Sequence, residues 1–290
     1  SLHDALPIWK PGSQNSGSQN SGSQNPGPQN SGPQNPALRI PKVEFKDMEF
    51  VYAGAKEPAL KDISFCAMAG QTIGVIGGTG SGKSTLVNLI PRFYDAASGQ
   101  VLVDGTDVKE YSLDELRDKT GVVPQKSVLF KGTLRDNMRW GKQDASDEEI
   151  YRALDTAQAR EFVDSKGEGL DLYIDQGGHN LSGGQRQRLT IARALVRRPE
   201  VLIMDDSASA LDFATDARLR KAIRENTGDM TVFIVSQRAT TIKSADTILV
   251  LDEGRLAGMG THKELLKDCQ VYREICLSQL SKEEVERDEQ

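Results

Sequence analysis

Residues 77–85 read Gly-Gly-Thr-Gly-Ser-Gly-Lys-Ser-Thr, and this stretch constrains the fold more than any other. Ahead of it, Gln71-Thr72-Ile73-Gly74-Val75-Ile76 has the length and apolar content of a short strand. Behind it, Leu86, Val87, Leu89 and Ile90 mark an apolar-rich helix that stops before Pro91. The spacing from Gly77 to Gly82-Lys83-Ser84 fits a phosphate-binding loop. Glycines let backbone N–H groups close around an anion, and the following helix N-terminus adds a favourable field. In such a loop Lys83 reaches the β- and γ-phosphates, and the Ser84 hydroxyl is offered to Mg²⁺. Gly77, Gly78, Thr79, Gly80, Ser81, Gly82, Lys83, Ser84 and Thr85 are therefore candidate nucleotide-binding residues.

A second strand carries the complementary charge. Val201-Leu202-Ile203-Met204 is a continuous apolar run, as expected of a parallel strand buried on both faces. Asp205 at its C-terminal end is placed to hold Mg²⁺ opposite Ser84. Strands and helices alternate around the loop, which predicts an α/β fold: a P-loop NTPase core, RecA-like, with a mainly parallel sheet. Residues 43–65 and 101–105 read as a small antiparallel lobe, and about 128–190 as an inserted helical lobe without a strong strand run. Residues 231–236 and 247–251 complete the core, and Glu253-Gly254 marks a turn before a last short strand.

Leu181-Ser182-Gly183-Gly184-Gln185 opens a long helix, with Ser182 and Gln185 at capping-box spacing. This LSGGQ, followed by RQRLTIARAL and then the aspartate-tipped strand, resembles the signature motif of ABC ATPases, and the resemblance covers nearly all of residues 42–275. It implies ATP and Mg²⁺ as ligands. By position, Tyr52 resembles the aromatic that stacks on adenine, Gln125 the Q-loop glutamine that senses Mg²⁺ and the attacking water, and residues 209–212, with Asp212, the D-loop. Gln176-Gly177-Gly178, residues 92–95, 129–133 and 260–266 are similar to exporter rather than importer ATPases. In that family two such domains stack head to tail, so Ser182, Gly183, Gly184 and Gln185 would serve the partner's nucleotide.

Two positions depart from the family pattern. The residue after the Mg²⁺-holding aspartate, usually a glutamate that polarises the attacking water, is Asp206; the switch position, usually histidine, is Gln237. Aspartate is one methylene shorter, a deficit of about 1.5 Å. A misplacement of about 1 Å can cost on the order of 10²-fold in rate. Glutamine can hydrogen-bond a phosphate oxygen but cannot become cationic. The two changes together resemble the degenerate half of heterodimeric bacterial multidrug exporters. The expected partner is a second half-transporter whose site the intact LSGGQ would complete. A homodimeric exporter with slow sites, a stand-alone importer ATPase and a non-transport ABC protein are the competing readings.

The net charge of −6 argues against a nucleic-acid partner, which requires a basic face. Cys66, Cys269 and Cys276 have neither disulfide-framework nor metal-ligand spacing. No apolar run reaches the roughly 20 residues that span a bilayer. A membrane domain is thus expected elsewhere in the polypeptide, with this part at the cytoplasmic face of the cell membrane. Residues 1–8, SLHDALPI, resemble a translated sequencing adapter, which implies a read artefact and a truncated product. Residues 12–36 repeat a five-residue Gly/Ser/Pro/Gln/Asn unit with too little apolar area to offset ordering entropy, so residues 1–40 are expected to be leader plus flexible linker. The ATPase domain is expected over 41–275 and a charged tail over 276–290, its acidic run from Glu283 to Gln290 frayed.

Overall fold

The computed structural model describes residues 40–207 and 210–289. The leader and repeat at 1–39, Ser209 of the expected D-loop and Gln290 lie outside the described residues. The chain opens with β1 (Val43–Phe50) and β2 (Leu60–Ala67), then β3 (Thr72–Gly77) and α1 (Lys83–Asn88). β4 (Ser98–Val103), β5 (Thr106–Asp107), α2 (Leu113–Lys119) and β6 (Thr120–Val123) follow. Next come β7 (Gly132–Thr133), α3 (Leu134–Arg139), α4 (Asp147–Thr156), α5 (Arg160–Ser165), β8 (Tyr173–Ile174) and α6 (Gly183–Val196). The last third holds β9 (Val201–Asp205), α7 (Phe213–Asn226), β10 (Thr231–Val235), α8 (Ala239–Ile242), β11 (Thr247–Asp252) and β12 (Arg255–Gly260). It ends in α9 (His262–Asp268), α10 (Gln270–Leu277) and α11 (Lys282–Glu289).

Six strands form the central sheet in the order β12-β11-β3-β10-β9-β6, parallel throughout except for the β11–β12 hairpin. A second sheet, β2-β1-β4-β5, is antiparallel. Strand periodicity divides the core into two layers. Val201 and Ile203 of β9, Phe233 and Val235 of β10, and Leu249 and Leu251 of β11 face the layer shared with the antiparallel sheet. Leu202, Met204, Val232, Ile234, Ile248 and Val250 face the layer shared with α6 and the helical lobe. That two-sided burial is why these strands read as unbroken apolar runs. α3 to α6 follow one another between β6 and β9, a stretch that also carries the short β7–β8 pairing.

The expected C-terminal tail is a correction. A boundary after residue 275 falls inside α10, and residues 282–289 form α11, with Val285 1% exposed in the same core layer as Tyr272 and Cys276. The reason is a single apolar residue and three polar ties: Asp288 Oδ2 to Lys243 Nζ at 3.5 Å and to His262 Nε2 at 3.4 Å, and Glu289 to Arg273 Nη1 at 2.8 Å. Composition shows the acidic run but not the partners that hold it.

Candidate nucleotide site

In an open parallel sheet, ligands gather at the carboxyl ends of the strands. Here β3 delivers Gly77, β9 Asp205 and β10 Val235 to one edge, with Val235 in register with both Val75 and Asp205. At Gly77 a Cβ would lie 2.1 Å from the Leu251 carbonyl oxygen, so the loop leaves β3 in a space only glycine can occupy. Gly78 and Gly80 have open space where a Cβ would be. Gly82 caps α1 at φ 98° without a side-chain cap, which leaves the first-turn amides to an anion.

Lys83 Nζ donates to the carbonyls of Gly77 at 2.9 Å and Gly78 at 2.7 Å, fixing the ammonium over the loop. Burial lowers its pKa, while the Asp205 and Asp206 carboxylates oppose that shift. Burial likewise raises Asp205; the hydrogen bond from Ser84 opposes this, and the neighbouring Asp206 adds to it. Ser84 Oγ donates to Asp205 Oδ1 at 2.9 Å, so a hydroxyl and a carboxylate from positions 121 residues apart already meet. Ser81 Oγ is buried without a hydrogen-bond partner. An orphaned hydroxyl, a glycine cradle and a hard oxygen pair fit a nucleoside polyphosphate with Mg²⁺.

An open cleft of about 450 Å³ is lined by Tyr52, Thr79, Gly80, Gly82, Lys83, Ser84, Thr85, Gln125, Asp205, Asp206 and Gln237, among others. The structure thus gathers most of the residues that the sequence offered for this chain's own nucleotide. Tyr52 is 40% exposed, with its ring braced by Phe50 at 4.7 Å and Tyr94 at 5.6 Å. Its hydroxyl is hydrogen-bonded to Thr85 Oγ1 at 2.7 Å, a partner the sequence did not suggest. Asp206 leaves the strand end at φ 45°, a backbone region uncommon for non-glycine residues. Its N–H donates to Val235 O at 2.9 Å, and its Oδ2 accepts from Gln125 Nε2 at 3.1 Å.

Ser182, Gly183, Gly184, Gln185 and Asp212 do not line this cleft. Ser182 and Gln185 form the expected capping box on α6, with Gln185 N donating to Ser182 Oγ at 3.2 Å and Ser182 N to Gln185 Oε1 at 2.9 Å. Gly184 sits against Ala210 and Leu211, where a Cβ would come within 3.4 Å of Ala210 O. Asp212 caps α7, accepting from the Thr215 amide at 2.9 Å and hydroxyl at 2.8 Å, bonds that lower its pKa. Ser127, two residues beyond Gln125, donates to Gln187 of α6; sequence spacing gave no signal for that link.

Residues 60–209 match the family model described as ABC transporter. An uncharacterized ABC transporter ATP-binding protein of Mycobacterium tuberculosis is 48% identical over 233 residues, 79% of this chain and 40% of that protein. An ATP-dependent lipid A-core flippase of Haemophilus influenzae is 43% identical over 240 residues, 82% of this chain and 41% of that protein. The chain therefore spans about 40% of the length of these curated relatives. The solved structure of a bacterial Atm1-family ABC exporter with ATP bound superposes with a TM-score of 0.79 at 37% identity, covering 87% of this chain and 45% of that one. With the loop, the aspartate-tipped strand and the capped signature helix in their places, the chain belongs to the ABC transporter family, as an ATP-binding, ATP-hydrolysing domain of the exporter type.

Proposed function

We propose that this domain drives an ABC exporter in which it pairs with a second, different half-transporter, and that the site built on its own loop turns over slowly. Its membrane domain would lie in the rest of the same polypeptide; among the described residues no helix is long and apolar enough to cross a membrane. The domain would then sit at the cytoplasmic face of the membrane. Ser84, Asp205 and the Gln125 amide oxygen would hold Mg²⁺, which supplies charge neutralisation at the phosphates. Tyr52 would stack on adenine, and residues 77–85 would bind the phosphates.

One observation carries the asymmetry. The carboxylate after β9 is the shorter Asp206, and it accepts from Gln125 at 3.1 Å, while the Ser84–Asp205 pair at 2.9 Å is complete. Binding chemistry is therefore intact where the chemistry of water activation is foreshortened. With Gln237 at the switch position, no imidazolium is available to the γ-phosphate either. The intact Ser182–Gln185 capping box supports a role in completing the partner's site.

The test is transport by the assembled exporter. Lys83→Ala is expected to reduce it less than the equivalent lysine change in the partner. Equal losses, or an intact transporter containing one chain type, would remove the asymmetry.

A further inference from the structure

The segment leaving β10, Ser236-Gln237-Arg238, carries the proposed switch position, and several of its backbone polar groups have defined partners. Ser236 N donates to Val75 O at 3.1 Å, and Arg238 N to Ser236 Oγ at 3.0 Å. Two further groups, Gln237 O and Ala239 N, go to one side chain. Gln279 Nε2 donates to Gln237 O at 2.7 Å, and Gln279 Oε1 accepts from Ala239 N at 2.9 Å. A primary amide so bound mimics a neighbouring strand, pairing with one edge of the extended peptide stretch centred on Arg238.

Gln279 is itself fixed from both sides. It follows α10, whose Tyr272 and Cys276 are fully buried, and its own N–H donates to Cys276 O at 3.0 Å. Tyr272 OH is 2.7 Å from His262 Nδ1. Beyond it, Leu280 packs on the core and Val285 of α11 is buried. The clamp therefore connects the C-terminal helices to the loop that presents Gln237 to the cleft.

We propose that Gln279 is a positioning residue for the switch loop, setting where Gln237 stands relative to the γ-phosphate. This rests on the ATPase reading above. The residues that bind base and phosphates, Tyr52 and 77–85, are on other elements, so loss of the clamp acts on turnover and not on affinity.

The experiment uses the chain in excess over ATP in single-turnover hydrolysis, together with hydrogen exchange of residues 236–242 and an ATP dissociation constant. In Gln279→Ala the Ala239 amide is expected to exchange about tenfold faster, in line with loss of one net hydrogen bond. The hydrolysis rate falls about tenfold, as sub-ångström to ångström misplacement of a sensing group would cause, while ATP affinity stays within about twofold. Gln279→Glu keeps an acceptor for Ala239 but loses the donor to Gln237 O; its Ala239 amide stays protected and its rate still falls. Unchanged exchange in Gln279→Ala, wild-type rates in both variants, or affinity and melting temperature falling in step with rate would each overturn the proposal. If the wild-type chain binds no ATP, the functional reading fails separately; if it binds ATP without measurable hydrolysis, as a slow site without its partner does, the rate comparison gives way to a second one. The clamp is then judged by ATP-dependent protection of residues 236–239: present in wild type and lost in Gln279→Ala supports it, equal in both overturns it.

Discussion

Gln125 Nε2 donates to Asp206 Oδ2 across 3.1 Å, joining the loop after β6 to the residue that follows β9. Two elements not consecutive in sequence thus meet over the end of the sheet.

Lengthening that carboxylate and restoring a titratable switch residue should release the site. Asp206→Glu combined with Gln237→His is expected to raise phosphate release at this site by up to about 10²-fold, the scale of a 1 Å placement error. The measurement is hydrolysis with the partner's own site silenced. No gain would mean that neither residue limits the rate.

Tyr52 is braced by Phe50 and Tyr94 and tied to Thr85. Tyr52→Ala should weaken ATP binding by about 1–3 kcal/mol, the usual worth of a base on an aromatic face. Tyr52→Phe keeps the ring and loses one hydrogen bond, at a cost of about 1 kcal/mol or less. Titration calorimetry with ATP and with a triphosphate lacking a base distinguishes stacking from general damage: only the ATP value should move strongly.

Ser182→Ala removes one arm of the capping box on α6. Stability should fall by about 1 kcal/mol. Because Ser182 does not line this chain's cleft, ATP affinity of the isolated chain should be unchanged, and the loss of turnover should appear in the partner's site. A drop in the isolated chain's own affinity would contradict the head-to-tail arrangement.

Lys42, Asp104, Lys119 and Glu200 form a ring of charges between the antiparallel sheet and the core, with contacts of 2.5, 2.7, 3.1 and 2.9 Å. Burial pushes Asp104 upward, but hydrogen bonds from Lys42 and Lys119 outweigh it and hold the carboxyl below its ordinary value. Glu200 is lowered by its hydrogen bond from Lys42, against burial and with help from Lys119. Both folded values lie below the unfolded ones, so the contribution is present above the ordinary carboxylate range and is lost as pH falls through the folded values. Glu200→Gln should cost about 0.5–1 kcal/mol at pH 7, a discounted figure for partly exposed groups. The gap in melting temperature should close below about pH 4. A gap independent of pH would show that packing, not charge, accounts for the cost.

Much of the core was legible in the residues because its physics is local. A glycine-rich turn between an apolar run and a helix binds phosphate for reasons contained in nine residues, and β9 announces two-sided burial through four consecutive apolar side chains. The capping box at Ser182 and Gln185 is a contact three residues apart, so spacing alone predicts it. The tail failed for the opposite reason. Residues 282–289 carry a single buried side chain, Val285, and the groups that hold their helix, His262, Lys243 and Arg273, are far away in sequence.

The sequence by itself determined that this is a phosphate-loop ATPase of the ABC type, and that its own site holds Asp206 and Gln237 where the family pattern has other residues. Tertiary structure alone decided which groups those two residues answer to: Gln125 on the Asp206 carboxylate, and Gln279 on the backbone around Gln237. Hydrogen bonds between residues 81 and 42 positions apart leave no periodicity or composition to read. They exist only once the parallel sheet has aligned its strand ends and the C-terminal helices have closed against them.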